Sequence, residues 1–272
     1  MALDQVLVAT DLTDGSELAL DRTLALSTAC NITLLHVLRA GLPDPLRMQL
    51  HSVIEGYLAD RAMARGSGSN TVRPVVATGR PFATIVSEAV AHRAQLIVVG
   101  EPALMRRPHL FVGSTADCVA RLTDRPLLMV KRAGTGPYKH VTVALDGAPA
   151  AVRALRTAAM LAPQAQLRVI YAIPSSRADS EVKTQSVDDV KARIRAELDS
   201  AFGSEPGGSH GVVIEIVETS PYSALKHASD STDLLAMGTH SKAAPWAANL
   251  EIGKLAHYML AEAPCDVLVS PP

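Results

Sequence analysis

Val6-Leu7-Val8-Ala9-Thr10-Asp11 is answered later in the chain by Val141-Thr142-Val143-Ala144-Leu145-Asp146. Each is a short apolar run that ends in Asp and leads into an Ala/Leu-rich stretch. Working outward, Leu34-Leu35-His36-Val37 pairs with Val169-Ile170-Tyr171-Ala172, and Leu96-Ile97-Val98-Val99-Gly100 with Leu234-Leu235-Ala236-Met237-Gly238. Arg125-Pro126 before Leu127-Leu128-Met129-Val130 matches Ala263-Pro264 before Cys265-Asp266-Val267-Leu268-Val269. Four matched segments in one order make a duplication, with domains over 1–134 and 135–272. The joint falls in the Gly/Pro stretch from Ala133 to Tyr138.

The matched runs are continuous β-branched and Leu segments rather than alternating ones, the pattern of strands buried on both faces. Helical stretches are expected between them. They are Ser16 to Ser27 with Ser16 as N-cap, Pro81 to Ala91, Ser114 to Leu122, and the amphipathic Asp188 to Phe202. Strand–helix–strand repetition predicts an α/β fold with a parallel, doubly wound sheet in each half. Ligands of such sheets bind beyond the carboxyl ends of the strands, where the strand order reverses.

The chain has 272 residues, 48% hydrophobic and 3% aromatic, with a formal net charge of -1. The mean hydropathy is +0.17, yet no apolar run reaches the roughly 18 residues that span a bilayer. A strand begins almost at the N-terminus, so no signal peptide is expected. Cys30, Cys118 and Cys265 are far apart and in no metal-ligand spacing, which suits a reducing compartment. The expected location is cytoplasmic. Near-zero charge and few aromatics argue against nucleic-acid binding.

Asp11 follows the first strand, Gly100 closes the fourth, and Gly113-Ser114-Thr115 opens the helix before the fifth. An acidic side chain at a first strand end can hold a ribose hydroxyl or an exocyclic amine. A Gly-Ser-Thr at a helix N-terminus offers amides, hydroxyls and the positive end of the macrodipole to phosphate. The simpler alternatives are a turn cap at Asp11 and an ordinary helix start at Ser114.

Val8 to Ser16, Leu34 to Val37 and Gly79-Arg80-Pro81 resemble the opening blocks of a universal stress protein domain. Gly100, Glu101-Pro102, Ala103, the nine residues Leu104 to Val112, then Gly113-Ser114-Thr115 keep the spacing of that family's ATP motif. Met129 to Arg132 is similar to its last strand. The chain thus resembles a tandem universal stress protein. The resemblance implies two Rossmann-like domains of five parallel strands, packed as a pseudo-dimer. The last strands, Pro126 to Lys131 and Pro264 to Ser270, are apolar edge candidates, so the halves are expected to pair through them or neighbouring surface. The resemblance also implies ATP as a ligand of the first domain. Thr10 and Asp11 would face adenosine and Val37 would present its backbone to adenine. Val99 and Gly100 would line the ribose-phosphate side, and Gly113, Ser114 and Thr115 would cradle phosphates. The second motif glycine is Ala103 here, whose Cβ hinders close phosphate approach. Glu101 places a carboxylate near the anion, with Arg106 and Arg107 as compensating cations or as a solvated loop.

The second half departs further. Gly238-Thr239-His240-Ser241 loses the second glycine, Glu251-Ile252 stands at the phosphate glycine with Gly253 displaced, and Thr219 replaces Gly79. Lys254 would offset Glu251 or lie on the surface. His36, His92, His109 and His240 show no paired metal-ligand spacing. No Gly-x-Ser-x-Gly elbow supports an Asp11, His36 and Ser114 triad. Neither a P-loop nor a Gly-x-Gly-x-x-Gly fingerprint is present. Three readings follow: ATP bound as a regulatory ligand, a nucleotide-free adaptor for protein partners, and a weak ATPase. The last ranks lowest because no general base is identifiable. Partner specificity would lie in Ala40 to Arg65 and Ser175 to Phe202, and a homodimer of chains is compatible with each reading.

Overall fold

The computed structural model describes residues 3–26, 29–65, 70–101, 114–134, 136–173, 187–202, 212–239 and 253–272. It divides into two units, Met1–Gly136 and Pro137–Pro272. The first holds β1 (Gln5–Thr10), α1 (Asp14–Leu26), β2 (Asn31–Arg39), α2 (Asp44–Arg65) and β3 (Thr71–Gly79). It continues through α3 (Pro81–Ala91), β4 (Leu96–Gly100), α4 (Thr115–Leu122) and β5 (Leu127–Val130). Its strands lie in the order β3-β2-β1-β4-β5, every pairing parallel. The order reverses between β1 and β4, which makes their carboxyl ends the switch point.

The second unit repeats the plan with β6 (His140–Ala144), α5 (Pro149–Leu161), β7 (Gln166–Ala172), α6 (Val187–Phe202) and β8 (Val212–Val217). Then come α7 (Pro221–Ser229), β9 (Leu234–Gly238), α8 (Lys254–Glu262) and β10 (Asp266–Ser270). Its order is β8-β7-β6-β9-β10, again parallel.

The continuous apolar runs are the cores of the two sheets. Leu7, Val8, Ile97, Val98 and all of β5 are fully buried in the first unit, as are Val143, Leu235, Ala236 and Leu268 in the second. Helices on both faces exclude water from them, which is why the strands need no polar side. The first face is tied by charge as well. Arg65 of α2 reaches Asp21 of α1 at 2.5 Å and Glu17 at 2.7 Å, and the hydrogen bond to Asp21 raises the Arg65 pKa.

The joint is seated rather than loose. Buried Arg22 of α1 donates from Nη1 to the Gly136 carbonyl at 2.9 Å. A Cβ at Gly134 would lie 2.8 Å from the Arg22 guanidinium carbon. Just beyond, Tyr138 donates to Asp266 at 2.7 Å, both buried. No described helix is long and apolar enough to cross a membrane.

Candidate functional site

The loop after β1 differs from the expectation of a helix capped by Ser16. Asp11 Oδ1 accepts from the Thr13 amide at 3.1 Å and the Thr13 hydroxyl at 2.6 Å, an Asx turn. The Thr13 carbonyl then takes the amides of Ser16 and Glu17, both at 3.1 Å, so the helix starts at Asp14. Ser16 is inside it, and its hydroxyl donates to Thr13 O at 2.8 Å. Thr10 Oγ1 is 2.8 Å from Ser16 Oγ and accepts from the Leu12 amide at 3.0 Å. Because Ser16 spends its proton on a carbonyl, Thr10 donates to it. A chain of hydroxyls lies beneath the loop.

The second unit shows what this loop needs for folding alone. Positions 135 further on carry Leu145, Asp146, Gly147, Ala148 and Ala151 in place of Thr10, Asp11, Leu12, Thr13 and Ser16. The turn survives: Asp146 Oδ1 accepts from the Ala148 amide at 3.0 Å, and Ala148 O takes the amides of Ala151 and Val152. Left-handed backbone recurs too, at Leu12 with φ 66° and Gly147 with φ 76°. The Asp is therefore explained by the turn, while the three hydroxyls are not, since aliphatic residues hold the same backbone.

Leucine in that conformation costs roughly 1–2 kcal/mol. Leu12→Gly should therefore raise stability by about 1 kcal/mol after the entropy of the unfolded glycine is counted. A lower denaturant midpoint for this variant would show that the Leu12 side chain contributes more by packing.

His36 lies opposite Thr10 in the β1–β2 register, with Nδ1 2.9 Å from Thr10 O. A carbonyl only accepts, so Nδ1 carries a proton. Asn31 gives its amide to Asp4 before β1 at 2.8 Å. Parallel strands turn alternate residues to the same neighbour, so Val37 faces β1 as well. Pairing with β1 ends at His36, whereas pairing with β3 runs on to Arg39. The Val37 carbonyl therefore faces the strand-end crevice.

Gly100 ends β4. An added Cβ would overlap the Gly15 carbonyl and lie 2.6 Å from Ser16 N, so the first turn of α1 rests directly on the strand. Gly238 repeats this in the second unit, where a Cβ would lie 2.8 Å from Ala150 Cβ and 2.9 Å from Ala151 N. Val99 is buried beside it in β4.

Ser114 is the N-cap of α4, its hydroxyl accepting from the Asp117 amide at 3.1 Å. Thr115 begins the helix at the carboxyl edge of the sheet, since α4 returns from β4 to β5. Gly253 is the corresponding cap of α8. Gly113, Ala103, Arg106, Arg107, His109, His240, Glu251 and Ile252 lie outside the described residues.

Sequence reasoning missed Lys131. Its side chain is 3% exposed and its Nζ is 3.8 Å from Glu101 Oε1. This makes it a cation for the Glu101 carboxylate, and its place just after a strand at the same edge was the available signal. Burial, with Asp117 beside it, pushes the Cys118 thiol up, which keeps it a poor nucleophile. Among the described residues no group of three metal-ligating side chains forms a site.

A model of the universal stress protein family matches residues 3–131 and again 137–271. No curated protein sequence matches the chain. Among solved structures, a universal stress protein from Archaeoglobus fulgidus DSM 4304 is similar over 98% of this chain and 97% of its own, at 19% identity and a TM-score of 0.75. A functionally unknown protein from Pseudomonas aeruginosa PAO1 is similar over 100% of this chain and 93% of its own, at 20% identity and a TM-score of 0.65. A universal stress protein in complex with cAMP covers 48% of this chain and 98% of its own, at 26% identity and a TM-score of 0.40.

Proposed function

The chain belongs to the universal stress protein family in both of its units, and from that premise we propose that it is a stress-response protein whose first unit binds an adenine nucleotide as a regulatory ligand. ATP is the member implied by the spacing from Gly100 to Gly113. The observation that carries this reading is the contrast between the two first loops. Thr10, Thr13 and Ser16 keep a polar crevice in the first unit, where the second unit has Leu145, Ala148 and Ala151. Thr10 and Ser16 are buried, Thr13 is partly exposed, and all three are hydrogen-bonded; a polar lining that the second unit folds without fits a polar ligand in the first.

The adenine would be read by the Val37 backbone, and the ribose by Asp11, whose Oδ2 is not used in the turn. Val99 and Gly100 would form the floor. The phosphates would lie towards Gly113, Ser114 and Thr115. On this reading the protein is a binding module with little or no turnover, and the cytoplasm is its proposed location.

Mass spectrometry of small molecules released from the denatured protein tests this. Near-stoichiometric adenine nucleotide is expected. Asp11→Ala should lower affinity about tenfold or more, the worth of a charge-assisted hydrogen bond. A protein that releases no nucleotide and takes up none from millimolar ATP is instead the adaptor. That second reading is favoured by α2, which exposes Met48 by 71%, Val53 by 63% and Met63 by 81% within the stretch expected to choose partners.

A further inference from the structure

The two units differ at the edge strands β3 and β8. Among the described residues each pairs on one side only, β3 with β2 and β8 with β7. Ile32 stands opposite Val72, and Leu167, 135 positions on, stands opposite Val212. Val213 therefore takes the place of the exposed Arg73, and Ile214 that of Pro74.

Hydrogen bonding sets which backbone groups point away from each sheet, because alternate residues of a parallel strand bond to the same neighbour. The Thr71 amide donates to Cys30 O at 3.0 Å, so Thr71, Arg73 and Val75 turn their backbones to β2. Pro74 then sits where an amide would face outward. In β8 the Ile173 amide donates to Val217 O at 2.8 Å. Val213, Glu215 and Val217 thus serve β7, while Val212, Ile214 and Ile216 direct N–H and C=O outward. An exposed charge and a proline that withdraws a donor are ordinary guards of an edge, and β3 has both. β8 has neither at those places. Five of its six residues are Val or Ile, and Val213 is 49% exposed. Its single charge, Glu215, lies 3.9 Å from Arg168 of β7. Such an edge is a template for another strand.

We propose that β8 is a pairing edge for a second copy of this chain, whose own β8 joins it antiparallel about a two-fold axis at Ile214. In that register Ile214 meets its own counterpart, Val212 meets Ile216, and each outward donor finds a carbonyl. Glu215 is set opposite Val213 of the second copy rather than against another carboxylate. Because Arg168 pairs with Val213 in the β7–β8 register, Glu215 also falls in the cross-strand row of the second copy's Arg168. Charges across the axis are therefore complementary, and this selects a second copy over an unrelated strand.

Sedimentation velocity of the full chain from about 1 μM to 1 mM, a range suited to a small interface, tests this. The mass should rise from 28.7 kDa towards twice that value, and amide exchange in the peptide holding Val212, Ile214 and Ile216 should slow with it. Ile214→Pro gives β8 the guard of β3 and should abolish the rise. The Ile214 amide faces away from β7, so the unfolding temperature of this variant should stay near that of the parent. Val213→Glu opposes like charges at two symmetric places. Its dimer should dissociate roughly tenfold or more readily than that of Val213→Lys, which sets opposite charges there. A chain that stays at 28.7 kDa throughout overturns the proposal. So does a dimer that survives Ile214→Pro or treats Glu and Lys at position 213 alike. Slow exchange of the β8 peptide already at the lowest concentration would mean that another segment of the same chain covers the edge, and it too overturns the proposal.

Discussion

Gly100→Ala should destabilise the first unit by about 3 kcal/mol or more, because the new methyl meets only backbone. The Gly15 carbonyl and Ser16 amide in its way belong to the first turn of α1. They cannot move without breaking the turn set by Asp11 and Thr13. Gly238→Ala should cost less, since its tightest contact is the Ala150 methyl at 2.8 Å. Gly79→Ala should cost least. There the obstacle is the Thr84 hydroxyl, which can rotate away. Urea unfolding of the three variants gives the ranking directly. A Gly100→Ala protein as stable as the parent would mean that α1 slides freely on β4.

The other large effect concerns the buried pair beyond the joint. Tyr138→Phe removes the hydroxyl that donates to Asp266 at 2.7 Å, while Asp266 stays fully buried. Withdrawing a donor from a buried carboxylate costs about 1–3 kcal/mol. The loss should appear as a lower unfolding midpoint followed by circular dichroism. A change below about 0.5 kcal/mol, the scatter of ordinary surface substitutions, would show that the remaining contacts of Asp266 suffice.

Much of this architecture was legible before any coordinates. Strands buried on both faces leave an unbroken apolar signature, so Val6 to Val8, Leu96 to Val99 and their counterparts could be found without ambiguity. Pro81 marked a helix start because its fixed φ suits a first turn. The start of α1 was misplaced, because Ser16 looks like a cap in sequence. Only the structure shows its hydroxyl spent on Thr13 and Thr10.

The site was legible in position more than in cause. Asp11 and Gly100 were placed at the correct strand ends. Yet the second unit keeps an Asp and a Gly at matching places for a turn and a close helix contact. Neither residue alone therefore distinguishes a binding crevice from a scaffold. The hydroxyls at Thr10, Thr13 and Ser16 do distinguish the units, but only once the registers show which positions correspond. Lys131 escaped notice because burial beside Glu101 is a tertiary fact with no local pattern.

The seating of Gly134 and Gly136 against Arg22 bears on where this chain tolerates insertions. Surface loops ordinarily accept extra residues at little thermodynamic cost. Here an added residue would pull the Gly136 carbonyl off the guanidinium that holds it at 2.9 Å, or press a side chain into the space kept by Gly134. Natural variation in length should therefore spare the joint and gather in exposed connections such as the one after β2. A tag or fluorescent domain spliced into the protein belongs in the same place.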